Sequence, residues 1–294
     1  MKIVVTGGAG FIGRHLLSRL SDGNEVIAVV RDGSQVFLKE KASLVVMDLA
    51  RPLDVSVLPS KIDVLVHLAQ ANVTFPEGAN ELMAVNTSAT QQLLDYGRRA
   101  GAQQFIFAST GDVYGPQLGL SKETDAASPT NYYGVTKYAA ELLVQSYSPY
   151  MVPTVLRLFQ PYGPRQAGRL IPKLMERIRQ KEPVQLHNEG RPRMTPVYVD
   201  DVTHAIQRAI DVAYGGILNI AGDRALSMRE LAEEIGLALG NQPKFAATGE
   251  ESTNRMGDNR LMKEVLGSWE MVSLSEGLSR TLNTEEANSW QAVV

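Results

Sequence analysis

A glycine-rich turn between the first predicted strand and the first predicted helix limits the folds that this chain can adopt. Lys2–Thr6 is a short β-branched run, and the apolar periodicity of Phe11–Leu20 is typical of a helix. Between them, Gly7, Gly10 and Gly13 are spaced three residues apart. Such glycines permit a sharp turn, a close approach of the backbone to a pyrophosphate, and packing of the helix on the strand. The pattern predicts a dinucleotide site; the alternative is a tight strand–helix turn without a ligand.

Strands and helices alternate along the rest of the first half of the chain. The predicted strands are 26–30, 44–47, 62–67, 104–108 and 152–159, and the predicted helices are about 82–99 and 132–146. This alternation favours an α/β fold with a doubly wound parallel sheet, a Rossmann fold. After residue 163 the pattern changes to helices with short strands, although a helix at 198–212 and a strand at 216–221 can return to the sheet. We predict a Rossmann domain of residues 1–163 and 198–222, and a smaller, discontinuous α+β substrate lobe of residues 164–197 and 223–294.

The composition excludes several classes of function. A single nucleotide-binding unit needs about 150 to 200 residues, so part of this 294-residue chain must serve another purpose. The 29 Lys and Arg against 32 Asp and Glu give a formal charge of −3, which leaves no basic field for nucleic acid or an anionic membrane. Absence of Cys excludes disulfides and thiolate sites, and four scattered His predict no metal. With no signal peptide or membrane span evident, we expect a cytoplasmic protein.

The end of the second predicted strand bears on the choice between NAD and NADP. A carboxylate at this place binds the ribose 2′-hydroxyl of NAD, whereas a guanidinium accommodates the 2′-phosphate of NADP. The place of the acid is held by Val30, and Arg31 follows; Arg14, just after the glycine turn, offers a second guanidinium. These residues favour NADP(H) as the form of NAD(P) that is bound. The alternative is that both arginines are solvated and that Asp32 binds the ribose.

Three side chains form a candidate hydride-transfer site. Tyr133 and Lys137 are four residues apart on one face of a predicted helix. A phenol is a weak base near neutral pH, and a neighbouring cation stabilises its phenolate. Thr110 follows the strand at 104–108, where a hydroxyl points into the ligand crevice of an open sheet. We expect Tyr133 to be the acid/base, supported by Lys137 and Thr110; a core Tyr beside a solvated Lys is the alternative.

Taken together, these motifs resemble those of the extended short-chain dehydrogenase/reductases, the NAD(P)-dependent epimerase/dehydratase group that acts on nucleotide sugars. The resemblance extends from residue 1 to about residue 282. It rests on the motifs TGGAGFIG at 6–13, DL at 48–49, HLAQ at 67–70, NT at 86–87, SxxxxYG at 109–115, YGVTK at 133–137, LRLFQPYGPRQ at 156–166 and YVDDV at 198–202.

The resemblance implies a set of binding residues and a homodimer. The expected cofactor-binding residues are Gly7, Gly10, Phe11, Ile12, Gly13, Arg14, Arg31, Asp48, Leu49, Leu68, Ala69, Gln70, Asn86, Ser109, Tyr133, Lys137, Phe159 and Pro161. Those expected at the nucleotide-diphosphate sugar are Asp112, Gln160 and Arg193. Members commonly dimerise through two helices, on which Leu93, Leu94, Leu142 and Leu143 are compatible with an interface but equally with the core.

Departures from the family pattern narrow the reaction. The dehydratases of the group carry an adjacent Asp-Glu pair after the catalytic Thr, and this chain has Gly111-Asp112, which disfavours 4,6-dehydration. Gln160 replaces the usual Asn after LRxF. The segment with Val30 and Arg31 favours a 4-ketoreductase with exchangeable NADPH, while the LRLFQPYGPRQ and YVDDV segments resemble those of 4-epimerases with tightly held NAD. Both enzymes stay open, with a non-catalytic NAD(P)-sensing protein as the third possibility.

Overall fold

The computed structural model describes residues 1–31, 38, 40–250 and 252–291, with side chains described as far as residue 284. The strands of its central sheet are β1 (Lys2–Thr6), β2 (Glu25–Val30), β3 (Ser43–Val46), β4 (Val64–His67), β5 (Gln104–Thr110), β6 (Val152–Leu158) and β11 (Gly216–Ile220). They run parallel in the order β11-β6-β5-β4-β1-β2-β3. The order reverses between β1 and β4, so their carboxyl ends flank the crevice in which open α/β sheets bind ligands.

Helices cover both faces of this sheet and extend beyond it. They are α1 (Phe11–Leu20), α2 (Ala79–Met83), α3 (Ala89–Arg99), α4 (Tyr132–Ser146), α5 (Leu170–Arg179), α6 (Val199–Val212), α7 (Met228–Leu239), α8 (Arg260–Leu266) and α9 (Leu274–Gln291). A π-helical turn, Ala84–Ser88, joins α2 to α3. One face of the sheet packs against α1, α6 and α8, and the other against α3 and α4. This architecture confirms the predicted Rossmann-type α/β fold.

Short strands pair outside the main sheet. They are β7 (Pro161–Tyr162), β8 (Pro183–Leu186), β9 (Arg193–Met194), β10 (Val197–Tyr198), β12 (Leu226–Ser227) and β13 (Lys244–Ala247). They form the pairs β7 with β10, β8 with β13, and β9 with β12. A separate apolar cluster holds α5, α7 and α9 together, and Phe11 and Ile12 of α1 pack against it. The second core therefore lies next to the helix that follows the glycine turn.

The helix expected at 198–212 and the strand expected at 216–221 do return to the main sheet. Helix α6 packs on one face of it, and β11 pairs with β6 along its whole length. Helix α8 also packs on the main sheet: Met262 and Leu266 are buried in the apolar cluster on the face that α1 and α6 cover. The division of the chain into two lobes stays a prediction, and α8 packs with the Rossmann part. Among the described residues, no helix has the length and apolar character needed to cross a membrane.

The glycine turn has the compact geometry that its spacing predicts. Gly7 adopts a φ of +70°, and a Cβ there would lie 2.8 Å from the backbone nitrogen of Ala69 in the loop after β4. A Cβ on Gly13 would overlap the carbonyl oxygen of Gly7 and lie 2.8 Å from the Cα of Gly8. Both glycines are thus required by backbone packing, which brings the start of α1 against the end of β1.

Replacing Gly13 by Ala tests this packing. We expect Gly13→Ala to lower the free energy of unfolding by about 1–3 kcal/mol, as overpacking does, and to weaken dinucleotide binding. Gly119→Ala is the matched control, because a Cβ on Gly119 meets nothing within 4 Å. Thermal unfolding and a dinucleotide titration measure both effects; a Gly13→Ala protein as stable as the Gly119→Ala protein would contradict the packing argument.

Candidate functional site

The loops after β1, β4 and β5 meet at one edge of the sheet. A buried hydrogen-bond chain fixes the first two: Thr6 Oγ1 lies 2.6 Å from Nδ1 of His67, and Nε2 of His67 lies 3.0 Å from Thr90 Oγ1. Burial lowers the pKa of His67 to about 3, so its imidazole is neutral. Thr6 Oγ1 also accepts a hydrogen bond from the backbone nitrogen of Ala69 at 3.3 Å. His67 is therefore a neutral link between two strand ends.

Asn86 links the loop after β4 to the helix that carries Tyr133. Its side-chain oxygen accepts from the backbone nitrogen of Ala71 at 3.0 Å, and its amide donates to Thr136 Oγ1 at 3.0 Å. Thr136 in turn donates to the carbonyl oxygen of Tyr133 at 2.8 Å. Asn86 is fully buried, so the structure places it behind the crevice, where it supports both walls, and does not bring its side chain to the crevice itself.

The three predicted catalytic residues come together. The Tyr133 hydroxyl donates to Oε1 of Gln70 at 2.6 Å, and it also forms a hydrogen bond with Thr110. Burial and, secondly, the charge of Asp112 raise the pKa of Tyr133, whereas the charge of Arg169 and the hydrogen bond from Thr110 lower it. The balance is upward, so the phenol is protonated at neutral pH. Tyr133 therefore keeps its proton at the crevice unless nearby charges lower its pKa.

Lys137 lies one turn further along α4 and is almost completely buried. Its Nζ lies 4.1 Å from the centroid of the Phe107 ring. Burial lowers the pKa of Lys137 to about 7, and the charge of Glu141 acts in the opposite direction. Within the described part of the chain, no side chain or backbone oxygen accepts a hydrogen bond from this ammonium group. It can therefore donate to hydroxyl groups of a bound ligand.

The other predicted cofactor residues fall into two groups. Half-buried or exposed are Gly7, Gly10, Phe11, Ile12, Arg14, Arg31, Asp48, Leu68, Ala69, Gln70 and Pro161. Buried are Gly13, Leu49, Asn86, Ser109 and Phe159. Ser109 donates its hydroxyl to Glu141 beneath the crevice. The ring of Phe159 fills the space where a Cβ of Gly111 or Gly257 would lie, so it is enclosed by backbone.

The residues expected at the cofactor ribose and adenine lie at the ends of β2 and β3. Arg31 is exposed, and the Arg14 guanidinium donates to the carbonyl oxygen of Ala9 in the glycine turn at 2.9 Å. The carboxylate of Asp48 accepts from the backbone nitrogen of Ala50 at 3.0 Å. Asp32, the alternative partner of the ribose, lies outside the described residues.

Arg193, on β9, and Gln160, between β6 and β7, were predicted at the substrate diphosphate. The Arg193 guanidinium donates to the carbonyl oxygen of Ala225 at 2.7 Å and lies 3.2 Å from the Glu230 carboxylate. Gln160 has a φ of 41°, and among the described residues its buried Oε1 has no hydrogen-bond partner. An unsatisfied buried oxygen needs an explanation, and a donor on a bound ligand supplies one.

Two arginines at the site were missed from the sequence. Arg255 forms an ion pair with Asp112 at 3.6 Å, and its backbone nitrogen donates to the carbonyl oxygen of Arg193 at 2.8 Å. Arg169 donates to Oδ1 of Asn72 at 2.7 Å and thereby joins the segment before α5 to the loop after β4. The only local signal is Gly257, two residues after Arg255, since a glycine can indicate a close contact of the backbone. It does not indicate that Arg255 pairs with Asp112.

Comparisons with known proteins show which sequences and structures this chain resembles. The model of the NAD dependent epimerase/dehydratase family matches residues 3–221. "Uncharacterized UDP-glucose epimerase YtcB" of Bacillus subtilis (strain 168) is 31% identical, and the match covers 96% of this chain and 97% of that protein. The dTDP-D-glucose 4,6-dehydratase of Mus musculus is 31% identical over 80% of this chain and 72% of that protein. A crystal structure of UDP-glucuronic acid 4-epimerase from Bacillus cereus, in complex with UDP-glucuronic acid and NAD, superposes with a TM-score of 0.89 at 26% identity and covers 98% of this chain and 100% of that chain.

Proposed function

This chain belongs to the NAD dependent epimerase/dehydratase family, and we propose that it is a 4-epimerase of a nucleoside-diphosphate sugar. The observation that carries the proposal is the Tyr133 hydroxyl, which meets Gln70 and Thr110 at the end of the crevice with the buried Lys137 ammonium one turn away. Likeness to the Bacillus cereus epimerase over the full length of that chain supports it.

The residues present fit a nicotinamide dinucleotide. The turn after β1 has no room for a side chain at Gly13, and the amides that open α1 face the place where such folds bind a pyrophosphate. Bound NAD supplies a hydride acceptor and donor and, in its oxidised form, a positive charge. We propose the predicted cofactor residues that are half-buried or exposed as direct contacts, and Asn86 and Ser109 as supports behind them.

In the proposed reaction, Tyr133 takes the proton of the sugar 4-hydroxyl and returns it after carbon 4 has been inverted. Thr110 holds the phenol oxygen by a hydrogen bond, which lowers the pKa of Tyr133 and opposes the effect of burial. The Lys137 ammonium is placed to stabilise the phenolate through ribose hydroxyls. The proposed proton transfer thus uses Thr110 of β5 and Lys137 of α4, next to Gln70, Asp112 and Arg169, which also act on the phenol.

The same geometry supports a substrate with a diphosphate. We propose that Arg193 and Arg255, adjacent through a backbone hydrogen bond of 2.8 Å, hold the diphosphate, since guanidinium groups bind such anions in a fixed orientation. The buried Oε1 of Gln160, which has no partner among the described residues, is available to a donor on the substrate. The lobe of residues 164–197 and 223–294 would then grip the nucleotide part. Gly111 before Asp112 leaves one carboxylate at the sugar, which disfavours dehydration.

A proton-transfer variant tests the catalytic assignment. We expect Tyr133→Phe to bind NAD as the wild type does and to lose at least about three orders of magnitude in kcat, because the proton acceptor is gone. UDP-glucose and UDP-glucuronic acid serve as substrates, with product configuration followed by chromatography. Tyr132→Phe, the neighbouring phenol, is the control and should retain activity; an active Tyr133→Phe enzyme would refute the assignment.

A 4-ketoreductase is the second candidate, and one observation favours it. Arg31 is exposed at the end of β2, where the family acid would bind the ribose of NAD. We therefore also propose that the adenosine ribose site favours NADP(H).

Cofactor titrations test this preference. We expect Arg31→Ala to weaken NADP binding about tenfold, the effect of losing one charge-assisted hydrogen bond, and to leave NAD binding unchanged. Arg98→Ala, on the surface of α3, is the control. Wild-type protein that binds NAD much more tightly than NADP, or that is purified with one NAD per subunit, would contradict the NADP preference and remove the observation that favours the ketoreductase.

We propose that two copies associate through the exposed side of α4. Val135 and Leu142, seven residues apart on that helix, are 48% and 53% exposed. Leu93 and Leu94 are completely buried and Leu143 packs against the core, so these three are core residues. Leu142 is the part of the predicted interface that the structure leaves uncovered, and Val135 adds a second exposed apolar side chain beside it.

The mass in solution tests this association. We expect the wild type to be a dimer and Leu142→Glu to be a monomer with an unchanged melting temperature, because a charge is then placed in the interface. Leu237→Glu, at an exposed position on α7, is the control and should stay dimeric. A monomeric wild type, or a dimeric Leu142→Glu protein, would contradict the proposed interface; light scattering measures the mass.

A further inference from the structure

The helix that carries Tyr133 and Lys137, α4, also contributes one partner of a buried ion pair. The Glu141 carboxylate on α4 is completely buried, and the Arg157 side chain on β6 is 3% exposed. Arg157 donates to Glu141 from Nη2 at 2.7 Å and from Nε at 3.1 Å. Ser109, at the end of β5, donates to the same carboxylate. One carboxylate therefore joins two neighbouring strands to α4.

Arg157 is held from its other side as well. Its guanidinium lies 4.5 Å from the centroid of the Tyr114 ring, and the Tyr114 hydroxyl donates to Oδ1 of Asn219 at 2.8 Å. Within the described part of the chain, Nη1 of Arg157 has no hydrogen-bond partner. A buried pair of this kind adds little to stability compared with well-packed apolar residues. Its position next to the site offers a reason for its presence.

The pair adjoins two of the three residues proposed to act on the sugar. Ser109 precedes Thr110 in the chain, and Glu141 follows Lys137 by one helical turn. The groups that act on Lys137 are the Phe107 ring, the neutral His67 and Glu141, and Tyr133 precedes it by one helical turn. Glu141 brings the negative charge to this set, and Arg157 stabilises that charge.

We propose that Glu141 is a positioning residue for the reaction proposed above, on which this inference rests: its carboxylate keeps the buried Lys137 ammonium charged, and its bond to Ser109 fixes the strand end that carries Thr110. Arg157 acts through Glu141, because its hydrogen bonds hold the carboxylate in place. Neither residue needs to contact the substrate.

The sign of the effect follows from the two influences on Lys137. Burial lowers its pKa to about 7, and the charge of Glu141 raises it. Without the carboxylate, burial acts unopposed, and the pKa of Lys137 falls further. At neutral pH most Lys137 side chains would then be uncharged and could not stabilise a phenolate.

The test is a titration of Lys137 by NMR in the full-length protein without substrate or cofactor. The Cε resonances of isotope-labelled lysine are followed against pH, and the Lys137 signal is assigned by its loss in Lys137→Met. The variants are Glu141→Gln, which removes the charge; Glu141→Asp, which keeps it; and Glu141→Gln/Arg157→Gln, which removes the charge without leaving Arg157 unpaired. Glu123→Gln is the control, because the Glu123 carboxylate accepts a hydrogen bond from the backbone nitrogen of Asn219 at 2.8 Å. Asn219 bonds Tyr114, which contacts Arg157 from its other side.

We expect the pKa of Lys137 to fall by about one unit or more in Glu141→Gln and in the double variant, and to stay near the wild-type value in Glu141→Asp and Glu123→Gln. If Glu141→Gln alone does not fold, the double variant decides. A Lys137 pKa that is unchanged in the folded double variant would overturn the proposal. Since the titration involves no turnover, an unchanged pKa counts against Glu141, whereas failure to invert a sugar counts against the proposed function.

Discussion

Gly7 and Ala69 pack backbone against backbone where β1 and β4 end, and the site is arranged around this contact. A side chain at Gly7 would lie 2.8 Å from the Ala69 nitrogen, and the hydroxyl of Thr6 bonds both that nitrogen and His67. The reversal of strand order occurs at the same place. Because the two loops cannot separate without breaking buried hydrogen bonds, the loop that carries Gln70 is held opposite Tyr133.

Burial then determines the chemistry available in the crevice. It raises the pKa of Tyr133 and lowers that of Lys137, so both groups are pushed toward their neutral forms. The surroundings act on the two groups in different ways: Arg169 and Thr110 favour the phenolate, the charge of Asp112 opposes it, and Glu141 favours the ammonium. A positively charged ligand near the phenol would act in the same direction as Arg169. A ligand of this kind would lower the pKa of Tyr133 and so favour the phenolate, the form that accepts a proton.

Local patterns in the sequence predicted the sheet, the glycine turn and the meeting of Thr110, Tyr133 and Lys137. The sheet, the glycine turn and the Tyr133–Lys137 pair depend on periodicity or on spacing within one element, and Thr110 was placed by its position at the carboxyl end of a parallel strand. Asn86 and Ser109 were assigned to the cofactor by resemblance, but tertiary packing turns both side chains to buried partners. Leu93 and Leu94 could not be separated from an interface by pattern alone, since apolar core and apolar surface residues follow the same helical period.

Long-range contacts explain what the sequence did not reveal. Arg255 reaches Asp112 across the chain, and Arg157 reaches Glu141 from a neighbouring strand; neither pairing has a local signature. The sequence predicts a cation, Arg31, at the end of β2. Which residue binds the ribose also depends on Asp32, which lies outside the described residues. In the proposed reaction, a hydride leaves carbon 4 of the sugar and returns to it within one active site.

The most direct test of this hydride return uses UDP-glucose and UDP-glucuronic acid that carry deuterium at carbon 4. We expect the product of one of these sugars to have the inverted configuration at carbon 4, to retain its deuterium there, and to form without net consumption of NAD or NADP. Loss of the deuterium to solvent, or turnover that consumes one reduced cofactor for each product formed, would contradict it.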